Sequence, residues 1–302
     1  MYVKKIISLL LALLFTLTPL AACASNASLP PDHSSSNETE LPSNGDTESG
    51  TDDNTGNGST SDGNGDSNET PDDPTPTPTP TPEPEPAPPV VQTTKYIRCT
   101  ADSVNVRSGA GTSYSILGSA EKGTSYALIE KSGNWYKTYY KNKVAYLYAE
   151  YAAVFTLEKS DDKNVENVIN EGYKLIGVPY VYGAVRLHDG KGNLLKGFTK
   201  TKFDCSSLVQ YVFYQGAGVL LNTTTRTQVK QGKYVARADL QRGDCIFFTN
   251  EDRQYNTGIE RIGHVAIYLG DGYILHTASD YARIEKMSNS RWKFYIESRR
   301  FL

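Results

Sequence analysis

The stretch Phe203-Asp204-Cys205-Ser206-Ser207-Leu208-Val209 decides how the second half of this chain is read. It places a cysteine in the first turn of a helix. Asp204 is a favourable cap, Leu208, Val209, Val212 and Phe213 recur at helical spacing, and Gly216 and Gly218 are expected to end the run. The unpaired N–H groups and positive dipole end of a helix stabilise a thiolate, the reactive form of cysteine. An inert core cysteine would satisfy the same local pattern, so a catalytic reading needs a base from elsewhere.

Toward the C-terminus, β-rich runs cover Asp244–Phe248, His264–Leu269 and Tyr273–His276, and Gly270-Asp271-Gly272 joins the last two as a hairpin. With a three-residue loop and Gly272 left-handed, Leu269 faces Tyr273 and Ala266 faces His276. His264 lies two residues from Ala266 on the same face, so His264 and His276 become diagonal neighbours, their Cβ atoms about 7 Å apart. A two-residue loop would put them on opposite faces. Of the other histidines, His33 lies near the N-terminus and His188 is taken as a surface residue of the polar loop Arg186–Lys202.

Cys205, His264 and His276 thus read as nucleophile, base and the group that orients the base. A thiol at its unperturbed pKa of about 8.5 is only a few per cent ionised at neutral pH. A nearby imidazole and a helix N-terminus are expected to lower that value and to supply a proton for the leaving amine. Zinc is the competing use of Cys and His. The sequence has no Cys-x-x-Cys or His-Glu-x-x-His, and neither metal nor cofactor is expected.

Upstream, Ser160-Asp161-Asp162 caps a helix through Val165, Val168, Ile169 and Ile176, stopped by Gly177 and Pro179. Before it, residues 94–155 alternate short β-rich runs with turns: Tyr96–Thr100, Val104–Arg107, Tyr126–Ile129, Trp135–Thr138 and Val144–Leu147. This is the pattern of a small β-barrel, with Trp135 and Tyr136 assigned to its core rather than to a ligand platform. Cys245, in a β-rich run, reads as core. A Cys99–Cys245 disulfide is conceivable in a secreted protein.

The N-terminal part differs in kind. Residues 24–93 carry 14 Asp and Glu and no Lys or Arg, whereas residues 94–302 carry 29 Lys and Arg against 20 Asp and Glu. The folded part should favour an anionic surface. Lys4 and Lys5 precede an apolar run, Ile6 to Ala22, that is short for a membrane span and interrupted by Thr16, Thr18 and Pro19. The run ends Leu20-Ala21-Ala22-Cys23, which looks like a bacterial lipobox. Residues 1–22 are then a lipoprotein signal peptide and Cys23 the lipidated N-terminus; an ordinary cleaved signal peptide is the alternative. Two acyl chains give a stable anchor. The secretion signal points to cell wall rather than nucleic acid as the anionic partner. Residues 23–93 are too polar to fold, and Thr75–Pro89 should form a polyproline rod of roughly 45 Å. A Pro-rich docking ligand is the other reading of that rod, but no basic residue flanks it.

Two resemblances follow. Val104-Asn105-Val106-Arg107-Ser108-Gly109, Gly118, Lys122-Gly123-Thr124 and Asn134-Trp135-Tyr136-Lys137 resemble a bacterial SH3-like domain, though Ala145-Tyr146-Leu147 replaces the usual Gly-Trp-Val. Such domains bind wall peptides or wall one side of an active site; a passive spacer is the plain alternative. Gly177-Val178-Pro179-Tyr180-Val181-Tyr182-Gly183, Phe203–Tyr211, Arg226-Thr227, Gln228, Asp239–Asp244, Gly263–Gly270 and His276 resemble the NlpC/p-sixty cysteine peptidases. That resemblance covers nearly all of residues 156–302. It implies an α+β, papain-like fold with the cysteine helix packed on an antiparallel sheet. It also implies hydrolysis of γ-D-glutamyl to diamino-acid bonds in peptidoglycan stem peptides at the cell envelope. By position it makes Cys205 the nucleophile, His264 the base, His276 the third polar residue and Tyr182 a shaper of the oxyanion site. Asp204 and Ser206 match residues that in some members hold a substrate amine; plain helix capping explains them equally. Ser207 and Ala184 stand where glycine is common. A non-catalytic wall-binding lipoprotein and a CHAP-like amidase remain as alternatives.

Overall fold

The computed structural model describes residues 90–302. The expected signal peptide, Cys23 and the tether lie outside the described residues. The strands are β1 (Thr93–Cys99), β2 (Val104–Arg107), β3 (Ile116–Ala120), β4 (Ser125–Ala127), β5 (Glu130–Ser132), β6 (Trp135–Tyr140), β7 (Lys143–Tyr148), β8 (Ala152–Glu158), β9 (Lys233–Val235), β10 (Cys245–Phe248), β11 (His264–Gly270), β12 (Tyr273–Ala278), β13 (Tyr281–Lys286) and β14 (Tyr295–Arg300). The helices are α1 (Lys163–Lys174), α2 (Cys205–Ala217), α3 (Thr225–Gln228) and α4 (Asn289–Lys293).

Strands β3-β2-β7-β6-β5 form one antiparallel sheet. In β2, Val104 and Val106 point inward while Asn105 faces solvent, the period-two pattern of a half-buried strand. Strands β3, β5, β8, β9, β13 and β14 were not expected. β3 is interrupted by Gly118 and Ser119, and β5 is wholly exposed, so neither carries an apolar alternation. Trp135 is not a core residue. It is half-buried, meets Tyr148 edge-on at 5.3 Å and lines a surface groove with Tyr148 and Tyr151. Tyr136 is also only half-buried.

The second sheet has nine strands in the order β8-β1-β4-β13-β12-β11-β10-β14-β9. Its first three strands belong to the barrel sequence and the rest to the region after residue 156. The join is the pairing of Ile284 in β13 with Ser125 in β4. α2 packs on β11 and β12, with α1 beside it. α1 starts where Asp162 accepts from Asn164 N–H at 2.7 Å. Gly216 does not end α2. It sits where the helices cross so closely that an added Cβ would lie 2.4 Å from the Val168 nitrogen. Gly218, at φ 68°, ends the helix in the left-handed conformation.

A buried guanidinium ties these layers together. Arg242 pairs with Glu166 of α1 at 2.5 Å. It donates to Tyr96 Oη of β1 at 3.0 Å, to Tyr173 Oη of α1 at 2.9 Å and to the Leu269 carbonyl at 2.9 Å. Barrel strand, helix and hairpin thus share one cation. Cys99, Cys205 and Cys245 are free thiols, so the conceivable Cys99–Cys245 disulfide is not formed.

Removing one partner of a buried pair leaves the other charge uncompensated, at about 3–5 kcal/mol. Arg242→Met should therefore destabilise the fold by about 3 kcal/mol, read as a lower urea midpoint at unchanged m-value. A variant within 1 kcal/mol of wild type would remove Arg242 from this role.

Candidate active site

The site is assembled from two local devices. The first is the cap of α2. Asp204 Oδ1 accepts from Ser207 N–H at 2.8 Å, and Ser207 Oγ accepts from Asp204 N–H at 2.9 Å. This reciprocal capping box explains Ser207, which a glycine could not replace in kind. It fixes Cys205 as the first residue of the helix, 8 % exposed. The second device is the β11–β12 hairpin. The turn holds two residues, Asp271 and Gly272, at φ 48° and 77°, where three were expected. A bulge between Tyr268 and Gly270 adds the missing residue, so Ile267 pairs with Leu275 and Tyr268 with Ile274. One step along, Ala266 stands beside His276, and the histidines share a face as foreseen. His264 Nε2 lies 2.9 Å from His276 Nδ1, with the rings edge to face.

Cys205 and His264 line two different cavities. That on the thiol side measures about 160 Å³ and includes Tyr180, Tyr182, Arg186 and Asp204; that on the His264 side measures about 490 Å³ and includes Asn250, Ser288 and Arg291. No hydrogen bond joins the thiol to His264 among the described residues. In free enzymes such contacts are often long and tighten when substrate binds. The backbone N–H groups of Val265 and Ser206 approach the sulfur instead.

The expected lowering of the thiol pKa is not what the environment produces. Burial, then the Asp204 charge, pushes the Cys205 thiol up to about 12, against the pull of those two N–H groups and Arg186. Burial, then the positive charges of His276 and Arg291, holds His264 well below the usual histidine range. The resting pair is therefore neutral, with the proton on sulfur. Local helix geometry favours the thiolate, but removal from water outweighs it.

Asp204 and Ser206 are already engaged. Arg186 Nη2 pairs with Asp204 Oδ2 at 2.8 Å and donates to Ser206 Oγ at 3.0 Å; its Nε and Nη1 donate to the Thr223 and Ala184 carbonyls. Gly183 N–H also donates to Asp204. Both side chains are thus hydrogen-bonded in the free protein. Tyr182 lines the thiol-side cavity but is 85 % exposed. Tyr180 is the tyrosine held beside Cys205. Val181 N–H bonds the Phe203 carbonyl and Phe203 N–H bonds the Pro179 carbonyl, which pins Tyr180 beside Asp204-Cys205. Burial, then the thiol and Asp204, pushes its phenol up to about 12.

His188 is not a surface residue. It is fully buried, its Nδ1 accepts from Gly190 N–H, and its ring packs on Tyr214. Among the described residues no three His, Cys, Asp or Glu side chains converge as a metal site. Sequence reasoning missed Arg186, Tyr180 and Glu285 of β13. Glu285 lies 3.2 Å from His276. Only Tyr180 left a trace, as part of the quoted Pro179-Tyr180 motif.

A cysteine at a helix N-terminus, with a histidine pair on the antiparallel sheet that the helix packs against, defines a papain-like frame. Residues 177–300 match the NlpC/P60 family and residues 102–153 the bacterial SH3 domain, so the chain carries an NlpC/P60 domain preceded by a bacterial SH3 domain. Over 127 residues it is 37 % identical to the γ-DL-glutamyl hydrolase of Bacillus subtilis, covering 42 % of this chain and 26 % of that one. It is 36 % identical over 138 residues to the peptidoglycan DL-endopeptidase CwlO of Bacillus licheniformis, covering 44 % and 27 %. It is 33 % identical over 120 residues to the peptidoglycan endopeptidase RipB of Mycobacterium tuberculosis, covering 40 % and 46 %. The matched part thus spans between a quarter and a half of the length of these curated relatives.

Two measurements check the electrostatics. A thiol pKa of about 12 predicts that iodoacetamide labelling of Cys205 in the free protein still accelerates between pH 8 and pH 9.5; a plateau near pH 7 would contradict it. His188, His264 and His276 all have folded pKa values depressed below the unfolded value, so below about pH 6.5 the unfolded chain binds more protons. Their contribution to stability is present above that pH and lost as pH falls. The urea midpoint should drop from pH 7 to pH 5, and less steeply in His188→Gln.

Proposed function

We propose that this chain is a peptidoglycan endopeptidase that hydrolyses γ-D-glutamyl to diamino-acid amide bonds in stem peptides, with Cys205, His264 and His276 as its triad. The observation that carries the reading is the 2.9 Å contact between His264 and His276 on the sheet that α2 packs against. The names of the three relatives support the bond and the polymer.

A stem peptide lying across the two cavities puts its scissile carbonyl between Cys205 and His264. The proton of Cys205 passes to His264, and the sulfur lone pair attacks the carbonyl carbon. The oxyanion meets the Tyr180 hydroxyl and the N–H groups at the head of α2. His264 then gives its proton to the leaving amine, and water cleaves the thioester with His264 as base. The neutral resting pair becomes an ion pair only as substrate displaces water and charge develops. Tyr182, at the rim, is a substrate contact rather than an oxyanion donor, and Asp204 and Ser206 act through the α2 cap and Arg186.

The same reading sets the chain in the bacterial envelope. Residues 1–22 are the lipoprotein signal peptide, Cys23 bears the lipid, and residues 23–93 tether the SH3-like domain (94–155) and the peptidase (156–302). The cationic surplus of residues 94–302 favours anionic wall as partner over nucleic acid.

Incubating the protein with purified peptidoglycan should release fragments whose new N-terminus is the diamino acid, read by mass spectrometry. Cys205→Ala should release none, and Tyr180→Phe should lower kcat about 100-fold with KM little changed. Wall binding without cleavage would replace this reading with a non-catalytic wall-binding lipoprotein; cleavage at the lactyl amide would replace it with an amidase.

A further inference from the structure

β13 carries a carboxylate that the steps above do not use. His276 pairs with Arg283 across β12 and β13, and Glu285 lies two residues along on the same face. Glu285 Oε1 is 3.2 Å from His276 Nε2, off the straight N–H direction, and 2.9 Å from Arg291 of α4. The charged and titratable groups facing His276 are His264 from β11, Glu285 and Arg283 from β13 and Arg291 from α4. Cys205 is not among the groups acting on His276.

Burial alone would raise the Glu285 pKa, but His276, Arg291 and Arg283 outweigh it and hold the carboxyl at about 2. An ionised carboxylate only accepts hydrogen bonds. His276 must then carry its proton on Nε2, facing Glu285, which leaves Nδ1 as an acceptor. The atom facing that acceptor at 2.9 Å is His264 Nε2, so His264 carries its proton there. His264 Nδ1 is left with a free lone pair, and it is the one ring atom able to take a proton from sulfur.

We propose that Glu285 is a positioning residue that sets the tautomers of both histidines and stabilises the imidazolium formed when Cys205 gives up its proton. The step moves one proton from Sγ to His264 Nδ1 and leaves the electron pair on sulfur for attack. The positive charge that results is aligned, through His276, with the carboxylate. A buried acid that fixes a catalytic tautomer serves a catalytic histidine in the same way in unrelated hydrolases. The proposal rests on Cys205 and His264 being nucleophile and base. The competing role for Glu285 is an ion pair with Arg291 that merely staples α4 to the sheet.

The test compares Glu285→Gln, Glu285→Asp and Arg291→Gln in the full chain, with two readouts. In kinetics on a stem peptide, Glu285→Gln should lower kcat about 10- to 100-fold, the range for outer partners that orient a histidine, with KM within twofold. Its acid limb, where the neutral His264 base is lost to protonation, should move to lower pH, because the imidazolium has lost the carboxylate that holds its proton. Glu285→Asp should recover most of the rate. Arg291→Gln should keep kcat within threefold and move that limb, if at all, to higher pH. In histidine ¹⁵N NMR, wild type should show both His264 and His276 as Nε2–H tautomers, and Glu285→Gln should show a mixture. Equal losses in Glu285→Gln and Arg291→Gln with unmoved limbs would overturn the proposal, as would unchanged tautomers in Glu285→Gln. Should wild type cut no peptide while the tautomers respond as stated, the peptidase reading falls and the tautomer control stands.

Discussion

The meeting of His264 and His276 depends on one inserted residue in the β11–β12 ladder. Side chains alternate faces along a strand, so a one-residue change of register moves every side chain to the opposite face. The tight Asp271-Gly272 turn alone would have set His264 and His276 on opposite sides of the sheet. The bulge at Leu269 reverses that parity and lets the rings meet. The capping box does the corresponding work for the Cys205 thiol, since Asp204 and Ser207 determine which residue begins α2. Two devices, each a few residues long, fix the thiol and the histidine pair.

What could be read from the chain follows the range of the forces involved. The start of α2, the apolar spacing behind Cys205 and the shared face of the histidines are local, and they were legible. The reason for the shared face was not, because a bulge between Tyr268 and Gly270 leaves no mark beyond a glycine-rich turn. Gly216 looked like a stop signal; its meaning comes from α1, which is distant in sequence. His188 was read as surface because its neighbours are polar, yet Gln210 and Tyr214 of α2 enclose it. Trp135 erred in the other direction, a large apolar residue in a barrel too small to cover it. Glu285 and Arg186 act across strands and loops that only the fold brings together.

Desolvation accounts for the largest discrepancy between local and global reading. A helix N-terminus and a histidine argue for a thiolate, whereas burial beside Asp204 argues for a thiol, and burial prevails. A protonated sulfur is a poor target for oxidants and electrophiles. The charged neighbours of the thiol-side cavity are mutually compensated at rest, Arg186 with Asp204 and Arg226 and Arg253 with Glu260. Reactivity is thus conditional on what enters the cleft.

The nine-stranded sheet has a further consequence. Half of the outer edge of β13 is covered by the segment around Val178, whose carbonyl accepts from Ala282 N–H at 2.8 Å. The remaining stretch, at Ile284, is covered by Ser125 of the barrel. Unpaired strand edges recruit other strands. The SH3-like domain therefore acts as an edge guard for the sheet, one residue away from Glu285. Replacing the SH3-like domain by another module would need a partner that also donates a strand at this seam.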